Sequence, residues 1–357
     1  MNDRYILWLS RISGISGKIK LRLFEYFNDA EAIFRAKRYE LEATGFLNTK
    51  NVYKILSEQD SNLLDGYIKG LEKTDMGFVP ITSDKYPALL KEIHVPPLGI
   101  YYLGTLPSQE SCYISIIGSR KCTEYGLSIS HRFSSELAGA GIVIVSGMAR
   151  GVDSMAHRGA LDADGVTVAV LGCGADVCYP PENKALMRRI QERGCVISEY
   201  PPGTKPTLGY FPERNRIISG ISRATIVVEA GCRSGTLITV DQALNEGREV
   251  MAVPGNITSK MSEGTNHLIR QGASLVTSSE EILEHLGIEF DTLKKDDYSV
   301  LAPVEKLVYD CIEFEPTAID FIYDKLNAAP GEVNYVLTLL EMRKLIRRIP
   351  GQRVVRL

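Results

Sequence analysis

Nothing in the chain approaches the roughly 18 uninterrupted apolar residues of a membrane-spanning helix. Its opening stretch, MNDRYILWLSRISG, is broken by charges too early for a secretory leader. A G-x-x-x-x-G-K-[ST] loop is missing throughout, which sets aside Walker-type ATP hydrolysis. An excess of one charge is missing too: 41 Lys and Arg against 44 Asp and Glu leave a formal net charge of −3. Any polyanion the protein holds must therefore meet a local concentration of positive charge. The seven cysteines are odd in number and scattered singly. The nearest thing to a metal pair, Cys173 and Cys178 in GCGADVC, has an unusual spacing and no second Cys/His pair close by. Small buried thiols, no metal, no cofactor, and a cytoplasmic protein without membrane association are expected.

What is present is enough chain, 357 residues, for two or three domains with at least one sizeable core. Residues 1–75 carry apolar positions such as Leu21, Phe24, Phe27, Ile33 and Phe34 near helical spacing. Within them SGISGKIKLRLFEYF (13–27) and TGFLNTKNVYKIL (44–56) each place a small-residue turn before a basic helix start, similar to a degenerate tandem helix-hairpin-helix or SAM-like unit. A phosphate-holding role and a purely structural one are both open there, because the second copy lacks a second glycine. The Pro- and Tyr-rich stretch 78–104 reads as a connector carrying one or two short strands into the next domain.

From residue 113 apolar runs alternate with helical stretches: YISIIG, IVIVSG, VTVAVLG, CVISEY, ATIVVEAG and EVMAVPG. Near-continuous β-branched runs separated by helices predict a parallel sheet buried on both faces, hence an α/β, doubly wound, Rossmann-like domain over 76–287. The polar stretch 288–299 reads as a linker. Three helical patterns and a basic hairpin turning at Pro350-Gly351 make 300–357 winged-helix-like.

In such a sheet, ligands collect beyond the carboxyl ends of the strands, where helix N-termini offer free amides to anions. GSRKCTEYG (118–126) carries Ser119, Arg120 and Lys121 from a strand into a helix. SGMARGVDSMAHRGAL (146–161) has Asp153 placed as an N-cap and His157 one turn into a helix, with no nucleophile at a matching spacing. GCGADVC begins like a dinucleotide fingerprint but has no third glycine in place. PPGTKPTLGYFPERNRIISGIS (201–222) is locally basic through Lys205, Arg214, Arg216 and Arg223, with Tyr210 and Phe211 interleaved. Cations beside aromatic faces are the ingredients of single-strand recognition. A buried Phe211 with arginines paired to carboxylates is the competing account. In EAGCRSGTLITVDQAL (229–244), Ser234, Gly235 and Thr236 open another helix.

The ordered motifs IIGSRKCTEYG, VSGMARGVDSMAHRGAL, GCGADVCYPPEN, SEYPPGTKP, FPERNRIISGIS, VVEAGCRSGTLITVDQAL and VPGN resemble the DprA/Smf family of DNA-processing proteins. The resemblance is dense over about 78–285. It implies a non-enzymatic protein that binds single-stranded DNA without strong sequence preference and protects it during natural transformation. It also implies help in loading the RecA recombinase in the presence of single-strand-binding protein. By motif, the DNA-binding residues are Ser119, Arg120, Lys205, Phe211, Arg214, Asn215, Arg216, Ser234 and Gly235. Arg120 and Lys205 are expected to hold phosphates, and Ser119 and the Gly235 amide to add hydrogen bonds. The family forms homodimers, for which 264–276 (GTNHLIRQGASLV) is the candidate surface.

Two other readings stand beside this one. The same loops are similar to the lysine-decarboxylase-like family that cleaves nucleoside monophosphates. Its P-G-G-x-G-T-x-x-E motif here has Glu229 in place of the proline and Ile238 or Thr239 where its catalytic glutamate falls. Alternatively the C-terminal hairpin, with Arg347, Arg348, Arg353 and Arg356, is the DNA reader.

Overall fold

The computed structural model describes residues 3–288, 301–313, 315–343 and 345–356. The N-terminal part is six helices: Asp3–Arg11, Gly17–Phe27, Ala30–Arg35, Arg38–Glu42, Thr49–Ser57 and Ser61–Glu72. Four of them start where a short polar side chain stops the preceding turn. Ser16, Asp29, Asn48 and Asp60 each accept a backbone N–H of the first turn, donors that have no partner inside the helix. The helices close around the single tryptophan, Trp8, which is fully buried, donates to the carbonyl of Glu58 at 2.6 Å and meets Phe34 edge-on at 5.0 Å. Both turn-and-helix stretches read from the sequence are present, as Gly17–Phe27 and Thr49–Ser57.

A nine-stranded sheet follows, comprising β1 (Gly77–Pro80), β2 (Gly99–Gly104), β3 (Tyr113–Ile117), β4 (Val143–Ser146), β5 (Thr167–Leu171), β6 (Cys195–Ser198), β7 (Ala224–Val227), β8 (Glu249–Ala252) and β9 (Ser274–Leu275). Its order is β1-β2-β6-β5-β4-β3-β7-β8-β9. The strands from β3 to β9 are mutually parallel, while β1 and β2 add an antiparallel margin beside β6. The Pro- and Tyr-rich connector is thus part of the sheet. Two-residue β9 lies in 264–276, where the sequence has no strand-length apolar run to announce it.

The chain leaves β3 in one direction, through β4, β5 and β6, then returns to place β7 on β3's other side. Between β3 and β7 is the switch point, where the connections leave to opposite sides and open a crevice. One pair across this seam is polar: Ser115 donates to Thr225 Oγ1 at 2.8 Å. The outer faces are apolar, one lined by Val145, Val170, Ile197 and Val227 and the other by Ile114, Ile116, Ile144 and Ile226, all essentially inaccessible. Burial on both faces is why these strands read as unbroken β-branched runs.

Helices Glu124–Gly139 and Val152–Asp162 pack closely on one face. Gly159 permits this, since a Cβ there would stand 2.1 Å from Ser134 Oγ and 2.3 Å from the carbonyl of His131.

The C-terminal part has helices Pro303–Asp310, Ile319–Leu326 and Pro330–Met342 and a small sheet of β10 (Thr317–Ala318), β11 (Ile346–Ile349) and β12 (Arg353–Arg356), with its own core around Ile322, Leu337 and Leu340. The hairpin turns at Pro350-Gly351 as its sequence predicts. It rests on helix Glu124–Gly139, where Ser128 donates to the Arg356 carbonyl at 2.9 Å and Arg347 pairs with Glu124. The linker expected at 288–299 lies almost wholly outside the described residues.

Gly159→Ala is expected to force the two helices apart and to destabilise the chain by about 1–3 kcal/mol. A lowered midpoint in urea unfolding checks this.

Candidate nucleic-acid interface

The turn after β3 is held from below by one carboxylate. Glu229, 1% exposed, accepts from the Thr123 N–H and the Thr123 hydroxyl, both at 2.7 Å, while its own carbonyl takes the Ser119 N–H at 2.8 Å. Gly126 leaves room for it, because a Cβ there would meet Glu229 Oε2 at 2.3 Å. Ser119 Oγ in turn accepts the Lys121 N–H at 3.1 Å. With its backbone fixed in this way, the turn presents Arg120 and Lys121 as exposed side chains.

Helix Tyr210–Gly220 supplies the next wall. Ile217, Ile218 and Ile221 are buried and bind its far end to the core, as their spacing predicts. Arg214 is 4% exposed. Its Nη1 donates to the Gly147 carbonyl, just past β4, at 2.9 Å and to the Val170 carbonyl in β5, and its Nε donates to Asn215 Oδ1 at 3.3 Å. Burial lowers its pKa to about 10 against the support of the buried Asp153 carboxylate. Burial raises Asp153's pKa, with Arg214 opposing. Asp153 is therefore the countercharge of the arginine; the capping position of helix Val152–Asp162 belongs to Gly151, at φ 74°. Phe211 stands in front, with the Arg120 guanidinium 5.7 Å from its ring centre and the Tyr179 ring at 5.4 Å.

The loop after β7 completes the crevice. Ser234 donates to Thr236 Oγ1 at 2.8 Å and accepts the Thr236 N–H at 3.2 Å, opening helix Thr236–Asn245 with Gly235 at its cap. The resulting cleft, about 560 Å3, gathers Ser119, Arg120, Phe211, Arg214, Asn215, Ser234 and Gly235. Lys205 and Arg216 are not in its lining. Lys205 is exposed on the segment before the helix, and Arg216 points to the helix's other side, paired with Glu199.

The lining also includes Lys121, Arg233, Asp153 and Met261, which were absent from the expected set. Lys121 and Arg233 adjoin motif residues and carry the same charge signal. Met261, whose Sδ is 3.5 Å from Ser119 Oγ, comes from a loop after β8 with no recognisable chemistry. Arg120, Lys121, Arg214 and Arg233 against Asp153 give four cations to one carboxylate, in a protein whose overall formal charge is −3.

Elsewhere most of the candidate groups have structural partners, while Arg353 is exposed. His157 is fully buried, with Nδ1 2.7 Å from Thr167 Oγ1, whose hydroxyl donates to the Ile144 carbonyl. Burial and then Arg214 lower its pKa to about 3. Cys173 and Cys178 donate to the carbonyls of Val177 and Pro180. In the C-terminal hairpin, Arg347 pairs with Glu124, Arg348 with Glu341, and Arg356 donates to the Tyr309 carbonyl. No helix among the described residues is long and apolar enough to cross a membrane.

Fold and cleft together define a Rossmann-like protein with a cationic crevice at its topological switch point, flanked by a helical unit and a winged-helix unit. The family model for DNA recombination-mediator protein A matches residues 77–287, and that for the DprA winged helix domain matches 294–352. Protein Smf of Synechocystis sp. is 32% identical over 396 residues, 99% of each chain. DNA processing protein DprA of Streptococcus pneumoniae is 44% identical over 203 residues, 57% of this chain and 72% of the relative. The X-ray structure of the Streptococcus pneumoniae protein aligns with TM-score 0.69 at 34% identity, covering 81% of this chain and 99% of that one. The structure describing the unique single-stranded DNA binding mode of DNA processing protein A from Helicobacter pylori aligns with TM-score 0.54 at 27% identity, over 60% of this chain and 97% of that one. The chain belongs to the DprA/Smf family.

Arg214→Ala is expected to cost about 3 kcal/mol or more, since it strands a buried carboxylate and two strand-end carbonyls. Arg120→Ala, on the surface, should stay within about 0.5 kcal/mol; urea unfolding compares them. His157 has its folded pKa below the unfolded 6.5, so under pH 6.5 the unfolded chain takes up a proton that the folded chain refuses. Stability should then fall from pH 6.5 towards 3, at up to about 1.4 kcal/mol per pH unit from this group. His157→Gln should make the measured decline shallower.

Proposed function

We propose that this protein binds single-stranded DNA in the switch-point cleft, without strong sequence preference, and acts by binding rather than by catalysis. The supporting observation is the convergence, from three loops and one helix, of four cations, an aromatic ring and a helix N-terminus on one crevice. Arg120 and Lys205 take phosphates, Lys205 from the rim. Ser119 and the Gly235 N–H add hydrogen bonds, with Ser234 shaping that loop. Phe211 offers a face to a base and Asn215 a base edge or a loop contact. Arg214 sets the floor, and Arg216 belongs to the strand's path beyond it. Nothing in this set reads a base sequence through a groove, and phosphate and ring contacts are indifferent to sequence.

The family's description as a recombination mediator, and the single-stranded DNA binding of the Helicobacter pylori relative, favour the same use. In it, the protein shields incoming strands during natural transformation in the cytoplasm and passes them to RecA in the presence of single-strand-binding protein. A homodimer through 264–276 fits the exposed Leu275 on edge strand β9, whose outer side has no pairing strand among the described residues. Against the glycosidase reading, Ile238 and Thr239 line the cleft where that family's glutamate falls, and the lining carboxylate Asp153 is held by Arg214.

Titration of single-stranded DNA against salt tests this. Arg120→Ala and Lys205→Ala should each weaken binding and reduce the slope of log affinity against log salt by about 0.7. Unchanged affinity and slope in both variants, or rapid base release from nucleoside monophosphates, would sink it.

A further inference from the structure

Helix Tyr210–Gly220 has a second face, and a second cleft lies against it. This cavity, about 640 Å3, lies between the N-terminal helices and the sheet and shares no lining residue with the first. One wall is the backbone of Ser13–Gly17 and the start of helix Gly17–Phe27. Opposite it are Glu199, Tyr200 and the helix residues Tyr210, Glu213 and Arg216. The two units come close here, since a Cβ on Gly17 would stand 3.2 Å from Glu199 Oε1.

Its chemistry repeats that of the first cleft. Arg11, Lys18, Lys20 and Arg216 line it against Glu199 and Glu213, four cations to two carboxylates. Both carboxylates are engaged: Glu199 pairs with Arg216, and Glu213 accepts the Tyr200 hydroxyl at 3.0 Å. Lys20 Nζ donates to the Ser10 carbonyl at 2.6 Å, and burial lowers its pKa to about 8, with Glu199 opposing, so a neighbouring anion would be favourable to it. Tyr200 and Tyr210 stack with ring centres 4.2 Å apart, offering an aromatic surface at the cleft. Phe211 and Tyr210, consecutive in the first helical turn and directed about 100° apart, serve the two clefts, so only that turn lies between them.

We propose that this second cleft binds nucleotide units of the same DNA strand. The strand leaves Phe211, crosses the first turn of helix Tyr210–Gly220 and sets its next phosphates on Lys18 and Lys20 with a base against the tyrosine pair. The inference rests on the proposed binding of single-stranded DNA in the first cleft. A free nucleotide has the same chemistry and is the competing source.

The test uses the full chain with oligothymidylates of about 6 and about 20 nucleotides. Lys18 is exposed, so Lys18→Glu leaves the fold intact. The variant should bind the short strand as the parent does and the long strand several-fold more weakly, its salt slope reduced by about 0.7. Normal short-strand binding with unchanged affinity and slope for the long strand overturns the second cleft alone. Failure of the parent to bind either length overturns the first cleft and this inference with it. Acylation of Lys20 by acetic anhydride separates the sources. The long strand should slow it, while the short strand and thymidine monophosphate should not; protection by the monophosphate overturns the strand path.

Discussion

The buried Arg214 guanidinium is the contact on which the site depends. It ties a helix that enters β7 to the carbonyls beyond β4 and within β5, and it holds Asp153 of a second helix as its countercharge. Arginine suits this place because its planar fork serves several acceptors at once and keeps its charge when desolvated. Once it is set, Phe211 and Asn215 on the same helix are placed at the mouth of the crevice opposite the Ser119–Lys121 turn.

The remaining walls are fixed by a similar device. Glu229, buried from solvent, accepts from the Thr123 backbone and hydroxyl, which fixes the turn above it. The buried charges thus shape the cleft, and the exposed ones, Arg120, Lys121 and Arg233, are free to meet a ligand. This division lets a protein with a formal charge of −3 present a concentrated positive field at one place, where a helix N-terminus adds to it.

Much of the architecture was legible. Six buried β-branched runs announced six of the parallel strands, because two-sided burial leaves no polar alternation to confuse with a surface strand. The antiparallel margin β1–β2 was only half visible, its Pro and Tyr residues suggesting a connector. Two-residue β9 was invisible, being too short to carry a pattern. Among site residues, the motif-borne Ser119, Arg120, Phe211, Asn215 and Ser234 do meet in one cleft. Arg214 and Arg216 look alike in ERNRI, yet two positions along a helix turn a side chain by about 200°. One braces the first cleft and the other pairs with Glu199 at the second.

By itself, then, the sequence determined the doubly wound sheet, the helical and winged-helix flanks, and which loops carry charge, since each is written in local periodicity and in residues that follow a strand end. Tertiary structure alone decided which cations are buried braces and which are exposed, that Met261 and Asp153 share the cleft, and that the N-terminal helices enclose a second one. Those outcomes depend on which distant segments fold against each other, and on the desolvation that follows when they do.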